Sequence, residues 1–437
     1  MKVLLIVPDS GLKSSLGSKM YIPLGVAYIA AVLRDSGHEV RLLDANVEGA
    51  ENLAIRLSDA ADFDMVGITV LFNSFSFVEQ VSLQIKKSNP TVPIVLGGPL
   101  VTSAPEVVIK STAADIAVLG EGEETIVELV DALSKKGDLS KVKGICFKKG
   151  NDVFFTAPRP RIENLNSLPF PAFDLFDLEF YFKSRSSIFG SSQIGPHLSL
   201  MTHRGCAHNC KFCLIPQVWP QVFYRSMENV VKELSWQREK FGISGITITD
   251  DNFGPSEQRI ISFCQNAIAN GIVVPFKCLM RASTVIRLHA NTLALMKSVG
   301  CRVIRIGIES GEENTLQNTA KGLTLQDIER AVKRIKDFGF SADGSFLMIG
   351  HPGEEEESLE RTIQFVSRLG IKVLAFFAMP LPGTPWYLQA KEGGLIPNEV
   401  QFLRELQFWQ ERPIVNLSKI PDEKLIVSLR AVKTKDD

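Results

Sequence analysis

The sequence predicts an α/β protein made of a doubly wound parallel sheet, a partial (β/α)6 barrel and a small helical C-terminal tail. Two observations predict this class. Short β-branched runs alternate with longer segments of helical spacing in both halves of the chain, which is typical of βα units. A proline-rich stretch without either periodicity separates the two series, as a linker between domains does.

The N-terminal series occupies residues 1–140 and contains five βα units. Each parallel crossover packs a helix back onto the sheet, so both faces of the sheet are expected to be covered. The predicted strands are Val3–Val7, Glu39–Leu43, Met65–Thr69, Pro93–Leu96 and Ile116–Leu119. The predicted helices are Leu24–Asp35, Ala50–Ala60, Phe77–Lys87, Pro105–Ser111 and Glu123–Lys135.

Residues 141–194 predict a hairpin and then the linker. Lys143–Lys148 and Val153–Thr156 have strand character and flank a Gly-Asn turn. The prolines of Ala157–Pro160 and Leu168–Pro171 exclude helix and sheet interiors there.

The second series, residues 195–385, contains six units, fewer than the eight of a closed barrel. Its predicted strands are Leu198–Thr202, Gly245–Thr249, Pro275–Leu279, Val303–Ile308, Ala342–Met348 and Val373–Ala378. Its predicted helices are Met227–Lys240, Gln258–Asn270, Ala290–Val299, Thr324–Phe338 and Glu356–Leu369. The tail, residues 386–437, adds two predicted helices, Asn398–Trp409 and Asp422–Lys433.

Composition narrows the function classes. Forty-eight Lys and Arg against 49 Asp and Glu give a net charge of -1, which argues against a nucleic-acid protein or a polybasic membrane anchor. The longest apolar stretch, Leu24–Leu33, is about half of the ~20 residues that a membrane span requires. The apolar N-terminal run is too short for a signal peptide, so we expect a cytoplasmic protein without a transmembrane segment. Seven cysteines, an odd number, then indicate thiols or metal ligands.

Three cysteines, Cys206, Cys210 and Cys213, share the spacing CxxxCxxC directly after the first barrel strand. A closed zinc site takes four protein ligands, whereas an iron–sulfur cubane held by three thiolates leaves one iron free. Either His203 or His208 could complete a zinc site, so zinc stays the alternative on spacing alone. The other cysteines fall in apolar patterns typical of buried small hydrophobes: Cys146, Cys264, Cys278 and Cys301.

The triplet resembles the cluster loop of the radical S-adenosylmethionine (SAM) superfamily. Segments after later strands resemble that superfamily in the same order, and the similarity covers about residues 195–390: Thr249–Phe253, Arg281, Gly307–Gly311, Lys321–Gly322, Met348–Glu354 and Pro380–Pro385. The resemblance implies a [4Fe-4S] cluster on the three cysteines, whose free iron binds the amino and carboxylate groups of SAM. Reduction of SAM there would give a 5′-deoxyadenosyl radical.

The same resemblance implies SAM contacts. Phe212 lies inside the loop, where the family places an aromatic near adenine. Candidates for ribose or amino contacts are Asp251, Asn252, Glu309 and Ser310. Arg281 is a candidate partner for the carboxylate or the sulfonium end, since a guanidinium grips a carboxylate with two donors. A salt bridge between barrel loops is the alternative for Arg281 and Asp251, and no catalytic acid or base is identified.

The first 150 residues resemble the Rossmann-like cobalamin-binding domain fused to many radical SAM enzymes. The matching features are Pro23–Leu33, Asp44, Leu96–Pro99, Gly120–Glu123 and Leu168–Asp174. The resemblance implies cobalamin at a glycine-lined sheet edge, and the candidate contacts are Thr69, Asn73, Gly97, Gly98, Gly120 and Glu121. The stretch Asp9–Lys13 lacks the histidine of the motif Asp-x-His-x-x-Gly, so the lower face of cobalt is expected to be open or contacted by water or Asn73.

The leading hypothesis is a cobalamin-dependent radical SAM enzyme that methylates an unactivated carbon. One alternative is a radical cyclase or rearrangement enzyme of the same architecture, as in tetrapyrrole ring formation. Another is a non-catalytic cobalamin- or metal-sensing protein. A methylthiotransferase is excluded, because residues 1–145 contain no cysteine for a second cluster. The expected partners are a small-molecule or natural-product substrate and an electron donor such as a flavodoxin or ferredoxin.

Overall fold

A computed structural model describes residues 1–9, 21–48, 62–184, 196–407 and 411–434. Contacts divide the chain into two compact units, and the second unit interrupts the first. One comprises Met1–Ser184 and Pro397–Phe408, and the other comprises Arg185–Ile396 and Trp409–Asp437. The predicted helix Ala50–Ala60 lies outside the described residues.

The first unit contains a sheet of seven strands in the order β2-β1-β3-β4-β5-β6-β7. Its strands are β1 (Lys2–Val7), β2 (Glu39–Asp44), β3 (Met65–Thr69), β4 (Ile94–Gly97), β5 (Ile116–Val118), β6 (Ile145–Lys149) and β7 (Asp152–Phe155). Strands β1 to β5 pair in parallel, which confirms the doubly wound parallel sheet. The order reverses between β1 and β3, and ligands of such sheets bind beyond the carboxyl ends of the strands at that reversal.

The hairpin β6–β7 extends this sheet, because β6 pairs antiparallel with β5. Burial explains the extension: Ile145 and Cys146 are both fully buried and continue the apolar layer of β5. The hairpin therefore belongs to the first sheet and is not part of a free linker.

Helices of the first unit match the predicted spacing closely. The helix Leu24–Asp35 buries Ala27, Ala30 and Leu33 on one face, which is the three-residue repeat that the sequence shows. The helices whose two ends both lie in the described residues are Leu24–Asp35, Phe75–Ser88, Pro99–Ser103, Pro105–Ser111, Glu123–Ser134, Leu178–Ser184 and Glu399–Glu405, and residues 45–48 are also helical. The last helix ends at Glu405, earlier than the predicted Trp409, which lies outside the described residues.

The second unit contains a parallel sheet of six strands in the order β8-β11-β12-β13-β14-β15. Its strands are β8 (His197–Leu200), β11 (Gly245–Ile248), β12 (Phe276–Met280), β13 (Cys301–Glu309), β14 (Ser345–Ile349) and β15 (Val373–Phe377). Across the described ranges no pairing joins β8 to β15, so the sheet is the open (β/α)6 barrel that the sequence predicts. A separate antiparallel pair, β9 (His203–Arg204) and β10 (Phe223–Tyr224), follows β8.

Helices of the second unit follow the barrel strands and extend to the tail. They are Ile215–Val218, Met227–Phe241, Glu257–Ala269, Ala282–Arg287, Ala290–Ser298, Glu313–Asn318, Leu325–Asp337, Glu356–Leu369, Pro385–Glu392 and Asp422–Thr434. Side-chain caps set their starts: Ser226 accepts a hydrogen bond from the Asn229 amide, and Thr324 and Asp327 form a capping box. No helix in the described part of the chain is both long and apolar enough to cross a membrane.

Candidate cluster and cofactor sites

The cluster loop, residues 205–213, follows β9 at the carboxyl end of the barrel. Cys210 is buried, and Cys206 and Cys213 are half-buried. Burial raises the pKa of the Cys206 thiol, and it raises the pKa of Cys213 to about 12. Gly205 has a φ of 90°, and a Cβ there would lie 2.3 Å from the Gln221 carbonyl oxygen, so the loop starts where only glycine fits.

A buried carboxylate holds the entrance to the cluster loop. Asp250 accepts hydrogen bonds from the Thr202 amide at 2.7 Å and from the Thr202 hydroxyl at 2.5 Å. Its other partner is the His203 ring, whose Nδ1 lies 3.0 Å away, and both side chains are almost fully buried. The sequence did not single out Asp250, although it stands beside the predicted Asp251. His203, a candidate zinc ligand on spacing alone, is thus engaged by a carboxylate.

Two arginines hold the backbone on the same side. Arg225 donates to the Met201 carbonyl at 2.8 Å and is itself paired at 2.5 Å with Glu233, which is fully buried. Arg259 donates to the Thr202 carbonyl at 3.2 Å. The two residues that precede His203 therefore have fixed backbone positions before the cysteines begin.

Arg281 lies on the other side of the loop, directly after β12. Its Nη1 lies 3.6 Å from the Cys210 sulfur, and its Nη2 donates to the Lys321 carbonyl. Its backbone amide donates to the Asn252 side-chain oxygen at 2.9 Å. In the described chain Arg281 contacts a sulfur and a carbonyl and no carboxylate, and its buried Nε has no hydrogen-bond partner there. A donor left open beside a cysteine fits a site that receives an anionic group.

Glu309 ends β13 in an uncommon conformation, with a φ of 64°. Its carboxylate accepts a hydrogen bond from the Lys321 ammonium group, and its backbone carbonyl oxygen lies 3.1 Å from His351 Nε2. The Ser310 hydroxyl lies 3.2 Å from the Thr362 hydroxyl and accepts from the Glu312 amide at 3.2 Å. Ser310 is thus engaged within its own loop, whereas Glu309 and Lys321 bring opposite charges to the site.

Aromatic rings form an apolar cluster beside the cluster loop, with the Phe212 and Trp386 planes tilted by 48°. The Phe212 and Trp386 ring centroids are 5.5 Å apart, and His351 meets Trp386 edge-on at 5.5 Å. Trp386 is buried and Phe212 is half-buried. The pair offers the kind of surface that an adenine ring stacks on.

Asp251 and Asn252 follow β11 and face different partners. Burial, with the neighbouring charge of Asp250, raises the pKa of Asp251 to about 6. Asp251 is half-buried, and Asn252 is buried against Arg281. Burial together with the charges of Arg281, Arg287 and Lys321 lowers the pKa of His208. The loop around the cysteines is therefore strongly charged.

The cysteines fit a cluster better than a single ion. Among the described residues, no group of three or more His, Cys, Asp or Glu side chains is arranged to hold one metal ion. In a cubane each thiolate binds its own iron atom, so three cysteines on one loop need not converge on a point. The residues that would hold the cluster are Cys206, Cys210 and Cys213.

In the first unit, the candidate cobalamin contacts lie at the carboxyl ends of β3 and β4. Thr69 ends β3, and Asn73 lies in the turn before the helix Phe75–Ser88. Gly98 has a φ of 112°, and a Cβ there would lie 2.8 Å from the Val70 carbonyl oxygen. A Cβ at Gly97 would meet no atom of the described residues within 4 Å, so those residues leave open space in front of this backbone. The edge fits a broad ligand laid against main chain.

Gly120 and Glu121, by contrast, contact the chain itself. A Cβ at Gly120 would lie 2.2 Å from an Arg161 guanidinium nitrogen. Glu121 is buried and accepts a hydrogen bond from the Ile162 amide at 2.8 Å. These two residues contact the segment that follows the hairpin. Their surroundings therefore differ from those of Gly97 and Gly98, with which the sequence pattern groups them.

A buried polar group lies at the end of β2. The Tyr181 hydroxyl donates to Asp44 at 2.5 Å, and the Asn46 side chain donates to Asp44 at 2.9 Å. Burial raises the pKa of Asp44, while the hydrogen bonds from Tyr181 and Asn46 oppose that rise. Asp44 ends β2 and Gly97 ends β4, so both lie at the carboxyl edge of the same parallel sheet.

Comparison with known proteins identifies both units. The model of the B12 binding domain matches residues 16–130, and that of the radical SAM superfamily matches residues 200–366. An uncharacterized methyltransferase of Pyrococcus horikoshii is 33% identical over 98% of this chain and 91% of its own. The anaerobic magnesium-protoporphyrin IX monomethyl ester cyclase of Synechocystis is 25% identical over 91% of this chain and 78% of its own.

A solved structure shares the fold. The radical SAM methyltransferase TsrM of Kitasatospora setae, solved with cobalamin and a [4Fe-4S] cluster, matches with a TM-score of 0.72 and 18% identity. The match covers 90% of this chain and 75% of TsrM. The two domain models and the Pyrococcus relative together cover both units of the chain. This chain belongs to the radical SAM enzymes that carry an N-terminal B12-binding domain.

Proposed function

We propose that the protein is a cobalamin-dependent radical SAM methyltransferase that acts on an unactivated carbon of a small molecule. The observation that carries the proposal is Arg281, which contacts the Cys210 sulfur and the Lys321 carbonyl and leaves its Nε open. A guanidinium so placed holds the cluster loop against the residues that would face SAM.

Each group of residues has a stated task. Cys206, Cys210 and Cys213 hold the cluster, and Phe212 with Trp386 receives an adenine ring. Arg281 and Asn252 orient the amino-acid end of SAM, and Glu309 receives ribose or amino donors. When bound, the cluster supplies an electron and an open iron position, and cobalamin carries a methyl group.

The cobalamin residues proposed are Thr69, Asn73, Gly97 and Gly98. Open space in front of Gly97 and the left-handed backbone at Gly98 support backbone contact with a flat ring system. The sequence motif for a lower histidine ligand is absent from Asp9–Lys13, which lies mostly outside the described residues. Gly120 and Glu121 would affect cobalamin binding indirectly, through the segment Arg161–Ile162 that they contact.

The partners are proposed from the same site. A substrate of small-molecule or natural-product type would enter at the carboxyl end of the barrel, where active sites of such barrels lie. An electron donor such as a flavodoxin or ferredoxin would reduce the cluster. All seven cysteines are unbridged, which supports a reducing, cytoplasmic location.

The test is product mass. Anaerobic protein loaded with cluster and cobalamin is incubated with reductant, methyl-deuterated SAM and candidate substrates. We expect 5′-deoxyadenosine together with a product that has gained one deuterated methyl group. A protein that binds both cofactors and never cleaves SAM would instead be a sensor, and the proposal would fail.

A second candidate is a radical cyclase, which the similarity to the Synechocystis cyclase favours. Its product would form with 5′-deoxyadenosine but without a gain of one methyl group. The same mass measurement therefore separates the two.

A further inference from the structure

An ion pair at the end of β13 stands out by its burial. The Lys321 ammonium contacts the Glu309 carboxylate, and both side chains are less than one tenth exposed. The same ammonium donates to the Gly307 carbonyl at 2.7 Å. A Cβ at Gly307 would lie 2.1 Å from the Glu309 carboxylate and 2.2 Å from the Lys321 nitrogen, so the pair lies directly over glycine backbone. Glycine at that position is what makes room for the pair.

Backbone strain collects around this pair. Three non-glycine residues of the described chain have a positive φ, and two of them are Glu309 and Ala320, which precedes Lys321. Such conformations cost free energy and persist only where the surroundings impose them, often at functional sites. Here one strained residue, Glu309, is a partner of the ion pair, and the other, Ala320, directly precedes the second partner.

Lys321 also belongs to a segment that touches the cluster loop. The Lys321 carbonyl accepts from Arg281, and Arg281 contacts the Cys210 sulfur. Two residues earlier, the Thr319 carbonyl accepts from the Lys211 amide of the cluster loop at 3.0 Å. One short segment thus joins the cluster loop, the end of β12 and the end of β13.

We propose that Lys321 is a positioning residue that orients the Glu309 carboxylate for SAM and ties it to the cluster loop. The inference rests on the proposed function, since Glu309 is taken as a SAM contact. A buried carboxylate without a cation favours its protonated form. Without Lys321, Glu309 would be a poorer acceptor for the hydroxyl or amino donors of SAM.

The groups around Glu309 make this testable by a conservative substitution. Lys321 faces its carboxylate, His351 faces its carbonyl, and Arg281 meets the Lys321 carbonyl. A Lys321→Arg variant, measured beside those below, keeps a cation next to the carboxylate. It should therefore retain more SAM affinity than Lys321→Met, which a residue that only fills space would not do.

The experiment measures SAM dissociation constants by calorimetry on anaerobic, cluster-loaded protein. The variants are Lys321→Met, the double variant Glu309→Gln/Lys321→Met, and Lys333→Met as a matched control with an exposed lysine on the helix Leu325–Asp337. We expect Lys321→Met to weaken binding about tenfold or more at neutral pH, the loss that goes with a charged hydrogen bond. The control should bind as the unaltered protein does.

The double variant separates the loss of SAM affinity from the loss of stability. Removing both charges should restore the unfolding temperature lost in Lys321→Met, because no buried charge is left alone. It should not restore SAM affinity, and this holds even if Lys321→Met fails to fold. Unaltered affinity in Lys321→Met, or recovered affinity in the double variant, overturns the inference. If the unaltered, cluster-loaded protein fails to bind SAM, the proposed function falls first and this inference with it.

Discussion

The two parallel sheets present chemically different carboxyl edges. At the barrel edge, four loops present buried charged side chains that hold neighbouring groups: Asp250 holds Thr202 and His203, Arg281 contacts the Cys210 sulfur, and Glu309 pairs with Lys321. At the edge of the first sheet, open backbone dominates at Gly97, and its buried charges, Asp44 and Glu121, are held by hydrogen bonds. The same sheet geometry thus supports two kinds of surface.

The difference matches what each edge would bind. SAM is small and carries an ammonium, a carboxylate and a sulfonium, so it needs fixed charges and donors at short range. A corrinoid is broad and flat, so it needs an unobstructed surface more than it needs charge. Substitutions that remove a charge should therefore impair binding at the barrel edge. Substitutions that add a side chain should impair binding at the edge of the first sheet.

The largest effect is expected at the cluster loop. Replacing Cys210 by Ala removes one of three thiolates, and with it the iron–sulfur absorbance and the production of 5′-deoxyadenosine. Cys264→Ala is the matched control, since that cysteine is buried in a helix outside the loop. Retained 5′-deoxyadenosine in Cys210→Ala would refute the assignment of the loop.

The next largest effect is expected at Asp250. Asp250→Asn removes a buried charge that holds Thr202 and His203, so the free energy of unfolding should fall by about 3 kcal/mol. Denaturant unfolding measures the fall, and cluster loading per chain should decrease in parallel. Asp337→Asn, on an exposed helix face, should change stability little. Equal losses in the two variants would show that Asp250 does not hold the loop.

Adjacent glycines of the first sheet sharpen the comparison. Gly98→Ala places a Cβ on a backbone with positive φ, 2.8 Å from a carbonyl oxygen. The free energy of unfolding should therefore fall by about 2 kcal/mol. Gly97→Ala meets no atom and should leave stability nearly unchanged, while its new methyl group weakens cobalamin binding. Cobalamin titration followed by absorbance measures the binding. Unchanged binding in Gly97→Ala would remove that glycine from the site.

The smallest effect is expected at Tyr181. Tyr181→Phe removes a hydrogen bond to Asp44 and should cost about 1 kcal/mol at neutral pH. Burial raises the pKa of Asp44, so its neutral form favours the folded state, and that contribution is lost as the pH rises through the folded pKa. The deficit of Tyr181→Phe should therefore shrink on acidification, because the neutral carboxyl needs the hydroxyl less. Urea unfolding at two pH values, with Asp44→Asn as reference, checks the sign, and a deficit that grows would contradict it.

Sequence periodicity was sufficient for the strands and the long helices. Met65–Thr69 and Glu356–Leu369 have the predicted bounds, because alternation and helical spacing extend over the whole element. The short helices Ala282–Arg287 and Glu313–Asn318 were missed because they are too short to show a period, whereas Pro105–Ser111, of similar length, begins at a proline and was predicted. The hairpin could not be assigned to the first sheet, since that pairing depends on contacts and not on local pattern.

The site divides in the same way. The three cysteines and Arg281 could be predicted as site residues because their spacing and their order after successive strands are visible in the sequence. Asp250 and Lys321 lie in segments that resemble the family, but the sequence does not reveal their contacts. Asp250 holds Thr202, 48 positions away, and Lys321 pairs with a residue 12 positions away. Gly120 and Glu121 stay predicted cofactor contacts, because their sequence resembles a ligand loop. In the described chain Glu121 accepts from the Ile162 amide, and Gly120 lies against Arg161.

The central claim is that one loop holds an iron–sulfur cluster while the first sheet holds a corrinoid. The most direct test is the metal content and absorption spectrum of anaerobically purified protein. The account predicts about four iron atoms per chain with cluster absorbance, and corrinoid bands after cobalamin is supplied. The account would be contradicted if the unaltered protein contained one zinc ion per chain and no iron, and if the Cys206→Ala variant lost that zinc.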